Sequence, residues 1–518
     1  MANTKLFASL VGKLIPATDA LNEERAPAYA LSPKQKLAQY AATGCLNATF
    51  YASDRDQLSA VLAVAAGIEP EFIAKTAVYC REKGFMKDMP ALLCAVLSTR
   101  DLGLLDAIFH RVIDNGRMLR NFVQILRSGA VGRKSLGTAP KRLVQNWLDR
   151  QDEDELFCSA IGQDPSIEDV IKMAHPKPKT AKQEALYGYL LGRTYDAESL
   201  PTLARQYEAF KKSETAEIPD VSFLKLTALE LSDAAWKKIA ERASWQTTRM
   251  NLNTFARHGV FTDLRMVALV AARLRDARLI RRARVLPYQL MAALVMADAA
   301  VPGEIRAALQ DAMEIAIENA PALKGKIYVC PDVSGSMSSA VTGYRKGATS
   351  AVRCIDVAAL VAAAVVRKNP TAEILPFEQD IVQIAVNPRD SVMTNATKLA
   401  AIGGGGTNCS APLAALNERR ATGDLVIFVS DNQSWVDAGH GRGTATMVEW
   451  QRFKAHNPAA KMVCVDIQPY GTTQAKERDD ILNVGGFSDA VFDVMGRFVA
   501  GALGADHWVG EIDAVDLN

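Results

Sequence analysis

The sequence of 518 residues lacks the marks of a membrane, fibrous or disulfide-stapled protein. Aromatic residues make up only 7%, and the eight cysteines include no CxxC pair and no histidine at zinc-finger spacing. The longest apolar run, Val357 to Val366, is too short for the roughly 20 residues of a membrane helix. Leu6 to Gly12, enclosed by two lysines, has no cleavage pattern of a signal peptide. We therefore expect a soluble cytoplasmic protein whose cysteines are reduced core residues.

Charge of one sign is also nearly absent overall, since the net charge is only +2. The balance differs along the chain, because residues 1–325 hold 43 basic and 37 acidic residues and residues 326–518 hold 17 and 21. Arg117 to Arg150 contains eight basic residues and one acid, and Arg265 to Arg284 contains seven arginines and one acid. Such runs are either solvated helix faces or sites for phosphate groups.

The first part of the chain has a helical pattern, with apolar residues three and four positions apart from Ser32 to about Asn319. Short Gly, Pro or Asp punctuation separates successive segments, which predicts stacked helical pairs as in an α-solenoid; a non-repetitive helical bundle is the alternative. The predicted helices include Gln57 to Ala66, Pro70 to Lys83, Met89 to Thr99, Gly103 to Asn115 and Met118 to Ser128. We place this domain at residues 1–325.

After Lys326 strands and helices alternate, which predicts a doubly wound α/β domain at residues 326–518. The predicted strands are Ile327 to Val333, Glu373 to Phe377, Asp424 to Ser430 and Lys461 to Ile467, with Gln379 to Val386 as an added antiparallel edge. The predicted helices are Ile355 to Lys368, Ala411 to Arg420 and Thr446 to Ala455. Ligands of such a sheet bind at the carboxyl ends of its strands.

Oxygen-bearing side chains fall at those strand ends and predict a site for a hard cation, most simply Mg²⁺. Asp332, Ser334 and Ser336 form a DxSxS turn after the first strand, Thr407 follows the run Gly403 to Gly406, and Asp431 follows another strand. DxSxS alone would be a common turn sequence. All five positions together resemble the metal-ion-dependent adhesion site of von Willebrand factor A (vWA) domains. That resemblance implies direct or water-mediated binding by the first four residues, binding through water by Asp431, and an open position for a partner's acidic group.

Enzymatic interpretations of the same residues fit poorly. An aspartyl-phosphate mechanism at Asp332 lacks the second Asp, since position 334 is Ser. The glycine run is not followed by the Lys-Ser/Thr of a P-loop, and the sequence around Ser334 is not the GxSxG of a nucleophile elbow. A metal-dependent hydrolase would need a general base that the sequence does not show. We expect no enzymatic activity.

Three segments of the helical part are candidates for RNA contact, because basic side chains are interleaved there with loops and helix ends. The first has Arg127 and the pairs Arg133-Lys134 and Lys141-Arg142, the second has Lys172, His175 and Lys177 in a proline-rich connection, and the third has Arg249, Arg257 and His258. For the third segment, buried polar capping is an equal alternative.

Together the segments GRKSLG, PKR, AHPKP and MNLNTFARHGVF, followed by the complete metal motif, resemble the Ro autoantigen family of TROVE-domain proteins, including its bacterial Ro-related members. The resemblance covers about Leu31 to Val509. It implies a ring of HEAT-like helical repeats followed by a vWA-type domain. It also implies binding of small noncoding Y RNAs on the basic outer surface and of single-stranded 3′ ends of misfolded RNAs in the central hole.

For this chain the resemblance implies a monomeric RNA-binding protein that takes part in RNA quality control and is linked through Y RNA to polynucleotide phosphorylase. It assigns Lys172, His175 and the loop with the pairs Arg133-Lys134 and Lys141-Arg142 to the RNA surface. It assigns Arg249, Arg257 and His258 to the ring interior or its support. The acidic run Asp152 to Glu155 departs from a continuous basic face. The alternative function is a protein-binding adaptor that captures a partner's carboxylate at the metal.

Overall fold

The computed structural model describes residues 15–517 except 45, 162–163, 214–216, 284, 286, 320–321, 345–351, 440–441, 487 and 505. Leu6 to Gly12 and Cys45 therefore lie outside the described residues. The contacts divide the chain into two compact units. One, the helical unit, is Glu69–Ala316 with Val515–Asn518, and the other, the α/β unit, joins Met1–Ile68 to Ile317–Ala514. This division differs from the boundary predicted at 325/326, because the described residues before Glu69 pack on the C-terminal half.

The N-terminal segment of the α/β unit contains two short strands and two helices: β1 (Ala20–Leu21), β2 (Pro27–Ala30), α1 (Pro33–Thr43) and α2 (Asp54–Ala66). Each helix begins at a serine whose side chain accepts a hydrogen bond from the third residue of the helix, while that residue's side chain accepts from the serine backbone. These reciprocal bonds satisfy amide groups that have no partner within the helix, and they fix where each helix begins.

The helical unit confirms the predicted helical pattern. Its helices are α3 (Pro70–Glu82), α4 (Asp88–Arg100), α5 (Leu102–Val112), α6 (Gly116–Arg127), α7 (Thr138–Arg150), α8 (Glu153–Ser159), α9 (Ile167–Ala174), α10 (Ala181–Leu190), α11 (Thr202–Lys212), α12 (Phe223–Leu226), α13 (Asp233–Arg242), α14 (Trp245–Met250), α15 (Leu252–Arg257), α16 (Leu264–Arg275), α17 (Ala277–Ala283), α18 (Pro287–Val295) and α19 (Gly303–Ala316). A 3₁₀ turn occupies Val260–Thr262.

The first helices of this unit stack in two rows. Helix α3 packs on α5, α5 on α7 and α7 on α9, while α4 packs on α6, α6 on α8 and α8 on α10. Contacts of α4 with α3 and α5 join the rows. Ten consecutive residues of α4, Met89 to Ser98, are buried, as expected for a helix that is apolar all round and enclosed by neighbours. Stacked helical pairs, as predicted, build this part of the molecule.

The C-terminal half has a five-stranded, all-parallel sheet, as predicted for a doubly wound α/β domain. Its elements are β3 (Ile327–Pro331), α20 (Cys354–Lys368), β4 (Glu373–Ile374), α21 (Val392–Ala400), α22 (Ala411–Glu418), β5 (Leu425–Ser430), α23 (Ala445–His456), β6 (Lys461–Asp466), β7 (Thr472–Thr473), β8 (Ile481–Gly485), α24 (Asp489–Val499) and α25 (His507–Asp513), with 3₁₀ turns at Ile317–Asn319 and Gly335–Ser338. The strand order is β4-β3-β5-β6-β8. Strands β3 and β5, the source of the metal motif, are therefore neighbours in the sheet.

Two features of this sheet were not expected from the sequence. Strand β8 completes one edge, and the predicted edge strand Gln379 to Val386 is absent. That prediction is wrong because the chain turns back at once: it makes only an isolated antiparallel bridge between Phe377 and Ile381. A separate small sheet pairs β2 with both β1 and β7, so the N-terminal segment contributes Tyr29 to the buried core beside β3 and β5.

The described cysteines carry no disulfide, and six of these seven are buried, as expected for core residues; Cys158 is half-buried. In the part of the chain that the structure describes, no helix is both long and apolar enough to span a membrane.

Candidate metal centre and basic surface

The predicted metal site lies where β3 and β5 end side by side. Asp332 directly follows β3, and its backbone amide donates to the Val429 carbonyl of β5 at 3.0 Å. Asp431 directly follows β5. Both carboxylates are buried, with exposed fractions of 0% and 2%. Because parallel strands end at the same edge of a sheet, the fold itself brings the two acids of the motif together.

Three hydroxyl groups join these carboxylates. Thr407 Oγ1 donates to Ser334 Oγ at 2.9 Å, Ser334 Oγ lies 3.3 Å from Ser336 Oγ, and the Ser334 amide donates to Asp332 Oδ1 at 2.9 Å. All three hydroxyl side chains are buried. The structure thus brings together all five residues of the predicted site.

Glycine is required at position 405, where the loop that carries Thr407 approaches the loop that carries Ser334. Gly405 has a φ of +69°, and a Cβ there would lie 2.6 Å from a carboxylate oxygen of Glu378. The Gly405 carbonyl accepts a hydrogen bond from the Gly335 amide at 3.2 Å. A side chain at Gly405 would be strained and crowded, so glycine allows the close approach that places Thr407 against Ser334.

The site is strongly electronegative. Burial raises the pKa of Asp332, and burial together with the Asp332 charge raises the pKa of Asp431 to about 7. No ion pair with Lys, Arg or His reaches either carboxylate among the described side chains. Ser430, which sequence reasoning missed although it directly precedes Asp431, donates to Asp332 Oδ2 at 2.5 Å.

The donor set fits a hard divalent cation that keeps some of its water. Two carboxylates and three hydroxyls supply oxygen ligands only, and a bound ion would neutralise the buried negative charge. Among the described residues, no group of three or more His, Cys, Asp and Glu side chains is arranged to hold a metal, so binding here depends on the hydroxyl groups. Asp332, Ser334, Ser336 and Thr407 would hold the ion directly or through water, and Asp431 through water.

A further buried acid lies one strand away and was also missed. Asp466 ends β6, where it pairs in register with Ser430 of β5. Burial raises the pKa of Asp466 well above its usual range, and the charge of Asp431 raises it further. Its position at the carboxyl end of a parallel strand was the available sequence signal. Asp466 therefore favours its neutral, protonated form, and it lies at the same edge of the sheet as the two acids of the motif.

Two of the three predicted RNA segments meet in the helical unit. Helices α6 and α7 both pack on α9, whose C-terminal end carries Lys172 and His175. Gln145 of α7 donates through its side-chain amide to the carbonyls of Ala174 and His175, at 2.8 and 3.3 Å. Arg127 of α6 donates to the sulfur of Met173 at 2.7 Å.

We call this group of side chains the α6–α9 basic surface; it consists of Arg127, Lys134, Lys141, Arg142, Lys172, His175 and Lys177. Lys141 is half-buried and the others are exposed. Lys172 pairs with Glu168, and His175 ends α9 in the left-handed conformation. The acidic residues that follow α7 have structural roles: Asp152 caps α8, and Asp154 accepts a hydrogen bond from the Leu203 amide at 2.6 Å.

Arg133, predicted with this group, serves the packing of the loop instead. Its guanidinium donates to the carbonyls of Ser98 at 2.6 Å and Leu136 at 3.4 Å. The side chain is half-buried and ties the loop before α7 to α4.

The third predicted segment is carried by α14 and α15. Arg249 donates to the Gln289 carbonyl at 2.8 Å, and burial lowers its pKa, so it ties α14 to α18. His258 stacks on Trp236 with ring centroids 4.4 Å apart, and its Nδ1 lies 3.8 Å from an oxygen of Asp233. Arg257 is exposed. Arg249 fits the alternative of buried polar packing within a repeat, while Arg257 keeps its charge at the surface.

Known proteins are similar in sequence to both the helical and the α/β part of the chain. A family model described as the Ro60 vWA domain matches residues 326–499. The chain is 25% identical to the RNA-binding protein RO60 of Deinococcus radiodurans, over 94% of this chain and 98% of that protein. It is 23% identical to the RNA-binding protein RO60 of Caenorhabditis elegans, over 46% of this chain and 38% of that protein. The crystal structure of the Deinococcus radiodurans RO (RSR) protein superposes with a TM-score of 0.62 at 20% identity, covering 91% of this chain and 100% of that one.

Proposed function

We propose that this chain, which is similar to the RNA-binding protein RO60 of Deinococcus radiodurans over most of its length, belongs to the Ro family and is a non-enzymatic RNA-binding protein whose main RNA contact is the α6–α9 basic surface. The observation that carries the proposal is the meeting of two basic segments, separate in sequence, at the end of α9. Exposed lysine and arginine side chains there supply contacts to phosphate groups, which give affinity without reading the base sequence.

The RNA that suits such a surface is a folded small noncoding RNA of the Y type. Regular RNA helices are recognised by shape and backbone, so a cluster of exposed cations is sufficient for them. We further propose that single-stranded 3′ ends of misfolded RNAs bind the same protein. It would then act as a monomer in the cytoplasm, in RNA quality control, and deliver RNA to a nuclease partner such as polynucleotide phosphorylase through the bound Y-type RNA.

The second part of the proposal is Mg²⁺ at Asp332, Ser334, Ser336, Thr407 and Asp431. When bound, the ion would supply positive charge to the two buried carboxylates. The five residues would hold it away from bulk water, since all of them are buried. A protein-binding adaptor that uses this ion to capture a carboxylate is the second candidate function, supported by the oxygen-only donor set.

The RNA proposal is tested by the affinity for a structured RNA with and without a single-stranded 3′ tail, measured across a range of salt concentrations. We expect tight binding that depends on the tail and weakens steeply with salt. In K141A/R142A the logarithmic salt slope should fall by about 0.9 for each phosphate that is no longer paired with a cation. The matched control is R265A/R278A, which removes the same charge from two arginines that are 91% and 92% exposed on α16 and α17.

The control should bind RNA nearly as the unmodified protein does. Equal weakening in the two variants would mean that net charge, not the α6–α9 basic surface, sets the affinity. Weak binding regardless of the tail would contradict the RNA proposal and favour the adaptor.

A further inference from the structure

The α/β unit contains a cavity of about 330 Å³, which none of the five metal-motif residues lines. Its walls come from three parts of the chain: the segment around β1 and β2, the first turn of α1, and the segment from β7 to β8. Sites for small molecules in proteins have volumes of roughly 300–1,000 Å³. We call it the Glu477 cavity, after its central acidic residue, and it has room for a small organic molecule.

Most polar groups in the wall of this cavity already have partners within the protein. Asp19 accepts from the Ala30 amide at 2.7 Å through Oδ1 and from the Lys476 ammonium at 2.9 Å through Oδ2. Ser32 and Gln35 exchange the two hydrogen bonds that cap α1. An anion would therefore find the lysine of the wall paired and the first turn of the helix capped.

The Glu477 carboxylate is the acid of the wall that can still accept from a ligand. The backbone amide of Asn483 donates to Glu477 Oε2 at 3.1 Å, and the side-chain amide of Asn483 donates to the same oxygen at 3.2 Å. Asn483 is itself fixed, because its Oδ1 accepts from the Thr473 hydroxyl at 2.8 Å. Both donors use Oε2, so Oε1 is the oxygen available to a ligand. This carboxylate is thus held in place with one oxygen in reserve.

The charges of the wall favour a cation. The wall holds two acids and one lysine, and that lysine is paired with Asp19, so an ionised Glu477 leaves one negative charge without a partner. Burial raises the pKa of Glu477, and a cation beside it would favour the ionised carboxylate. A metal ion is not favoured, because no group of three or more His, Cys, Asp and Glu side chains among the described residues is arranged to hold one.

We propose that the Glu477 cavity binds a small organic monocation, a primary amine or a guanidinium on a short aliphatic chain. The cationic group donates to Glu477 Oε1, and the chain packs on the wall formed by Ala30 and Leu31. Since the walls come from both ends of the chain, the ligand binds only when the N-terminal segment is in place, and it stabilises the α/β unit against unfolding. This inference depends on neither RNA nor Mg²⁺.

The test is calorimetric titration of the full chain with four probes that carry the same butyl chain: n-butylamine, n-butylguanidine, the neutral 1-butanol and the anion pentanoate. We expect the two cations to bind and to raise the Tm, and the other two probes not to bind. Glu477→Gln should weaken binding of both cations by about 10-fold or more, since a charge-assisted hydrogen bond is lost. Its amide oxygen can still accept from Asn483.

The matched control is Asp479→Asn, which removes the same charge two residues away, at an exposed position that does not line the cavity. It should bind the cations as the unmodified protein does. Equal cation affinity in this control and in Glu477→Gln would place the binding elsewhere and overturn the inference. Absence of binding by all four probes would overturn it as well, and would mean that the cavity holds solvent only.

Lys476→Met distinguishes a cation site from an anion site. Loss of the lysine leaves Asp19 unpaired, so the affinity for n-butylamine should rise by a few-fold. An anion site would instead lose its only lysine, and preferential binding of pentanoate by the unmodified protein would contradict the proposal. If Glu477→Gln unfolds at a lower temperature without ligand, Lys476→Met still decides, because it changes the affinity in the opposite direction and leaves Glu477 in place.

Discussion

Asp431 shows how a single residue couples the metal centre to protein stability. Its carboxyl is buried next to Asp332, so the pKa is raised from 3.8 to about 7 in the folded, metal-free protein. The unfolded chain returns it to the ordinary value. Between these two values the folded state keeps a proton that the unfolded state has released, and stability therefore falls as the pH rises.

This coupling predicts a pH profile of thermal unfolding in EDTA. We expect the Tm to fall between about pH 5 and pH 7.5, with a free-energy slope approaching about 1.4 kcal/mol per pH unit. Asp431→Asn cannot ionise and should remove the part of the slope that Asp431 contributes, leaving the part from the buried carboxyls of Asp332 and Asp466, whose pKa values are also raised, whereas Asp106→Asn, at an exposed position, should retain the full slope. Saturating Mg²⁺ should reverse the trend, because the ion binds the deprotonated carboxylates. A flat profile in the unmodified protein would contradict this account.

Single residues also mark the limit of sequence reasoning about the basic surface. That the five candidate metal-site residues lie together was predictable, because a fixed spacing and strand ends constrain their positions. Arginines carry no such constraint: Arg133 and Arg249 donate to backbone carbonyls inside the helical unit, while Arg142 and Arg257 face solvent. The sequence around the packed arginines does not distinguish them from the exposed ones. Only the packing of neighbouring helices does.

At the scale of elements, the end of α9 combines an unfavourable backbone with an exposed basic side chain. His175 has φ 50° and ψ 54°, a conformation that costs most residues roughly 1–2 kcal/mol and that glycine adopts freely. Its imidazole is exposed. Glycine at this position would suit the helix end better, and the proposed RNA contact would give the exposed histidine a role.

We therefore expect His175→Gly to change stability and RNA binding in opposite directions. The free energy of unfolding should stay the same or rise by up to about 1 kcal/mol, because the strain is relieved while the unfolded chain gains freedom. RNA affinity should fall by a few-fold, since the imidazole no longer reaches the RNA. Urea unfolding and RNA titration of the same preparation measure both. His175→Ala should weaken RNA binding without gaining stability; unchanged RNA binding in both variants would remove His175 from the surface.

Elements with strong local signals were predicted closely, and those defined by distant partners were not. Strands β3, β5 and β6 are mostly buried runs with two or three β-branched residues each, and helices α2, α5 and α6 begin after a residue whose side chain caps them, so local sequence is sufficient. Strands β1, β2 and β7 have two to four residues, and each exists because of its pairing. The predicted edge strand at Gln379 to Val386 is absent because the chain turns back after Phe377 and makes only one isolated antiparallel bridge, between Phe377 and Ile381.

At the scale of the whole molecule, the candidate RNA and metal residues belong to different compact units. The α6–α9 basic surface lies in the helical unit, and the five metal-site residues lie in the α/β unit. The excess of basic residues in residues 1–325 and of acidic residues after them follows the same separation. The candidate RNA residues and the candidate metal residues therefore share no side chain.

This separation predicts that RNA affinity is independent of the metal. Asp332→Ala, or EDTA, should change the affinity for a tailed RNA by less than about 2-fold, because every cation of the α6–α9 basic surface stays in place. Competition binding at fixed ionic strength, with an RNA whose own fold does not require Mg²⁺, measures this directly. K141A/R142A in the same assay shows the size of a real decrease. A large effect of Asp332→Ala would mean that the two units communicate.

The bond from Asn22 to Ser434 joins residues 412 positions apart in the chain, and β2 pairs with β7 over a still longer separation. During synthesis the first of these partners leaves the ribosome long before the second, so it waits through the production of the whole helical unit. Closing such a loop is slow compared with forming local helices. We therefore expect the α/β unit to complete its folding after the helical unit, and a fragment beginning at residue 326 would lack Tyr29 in its core. Strand β2, near the beginning of the chain, can therefore pair only after β7, near its end, has been synthesised.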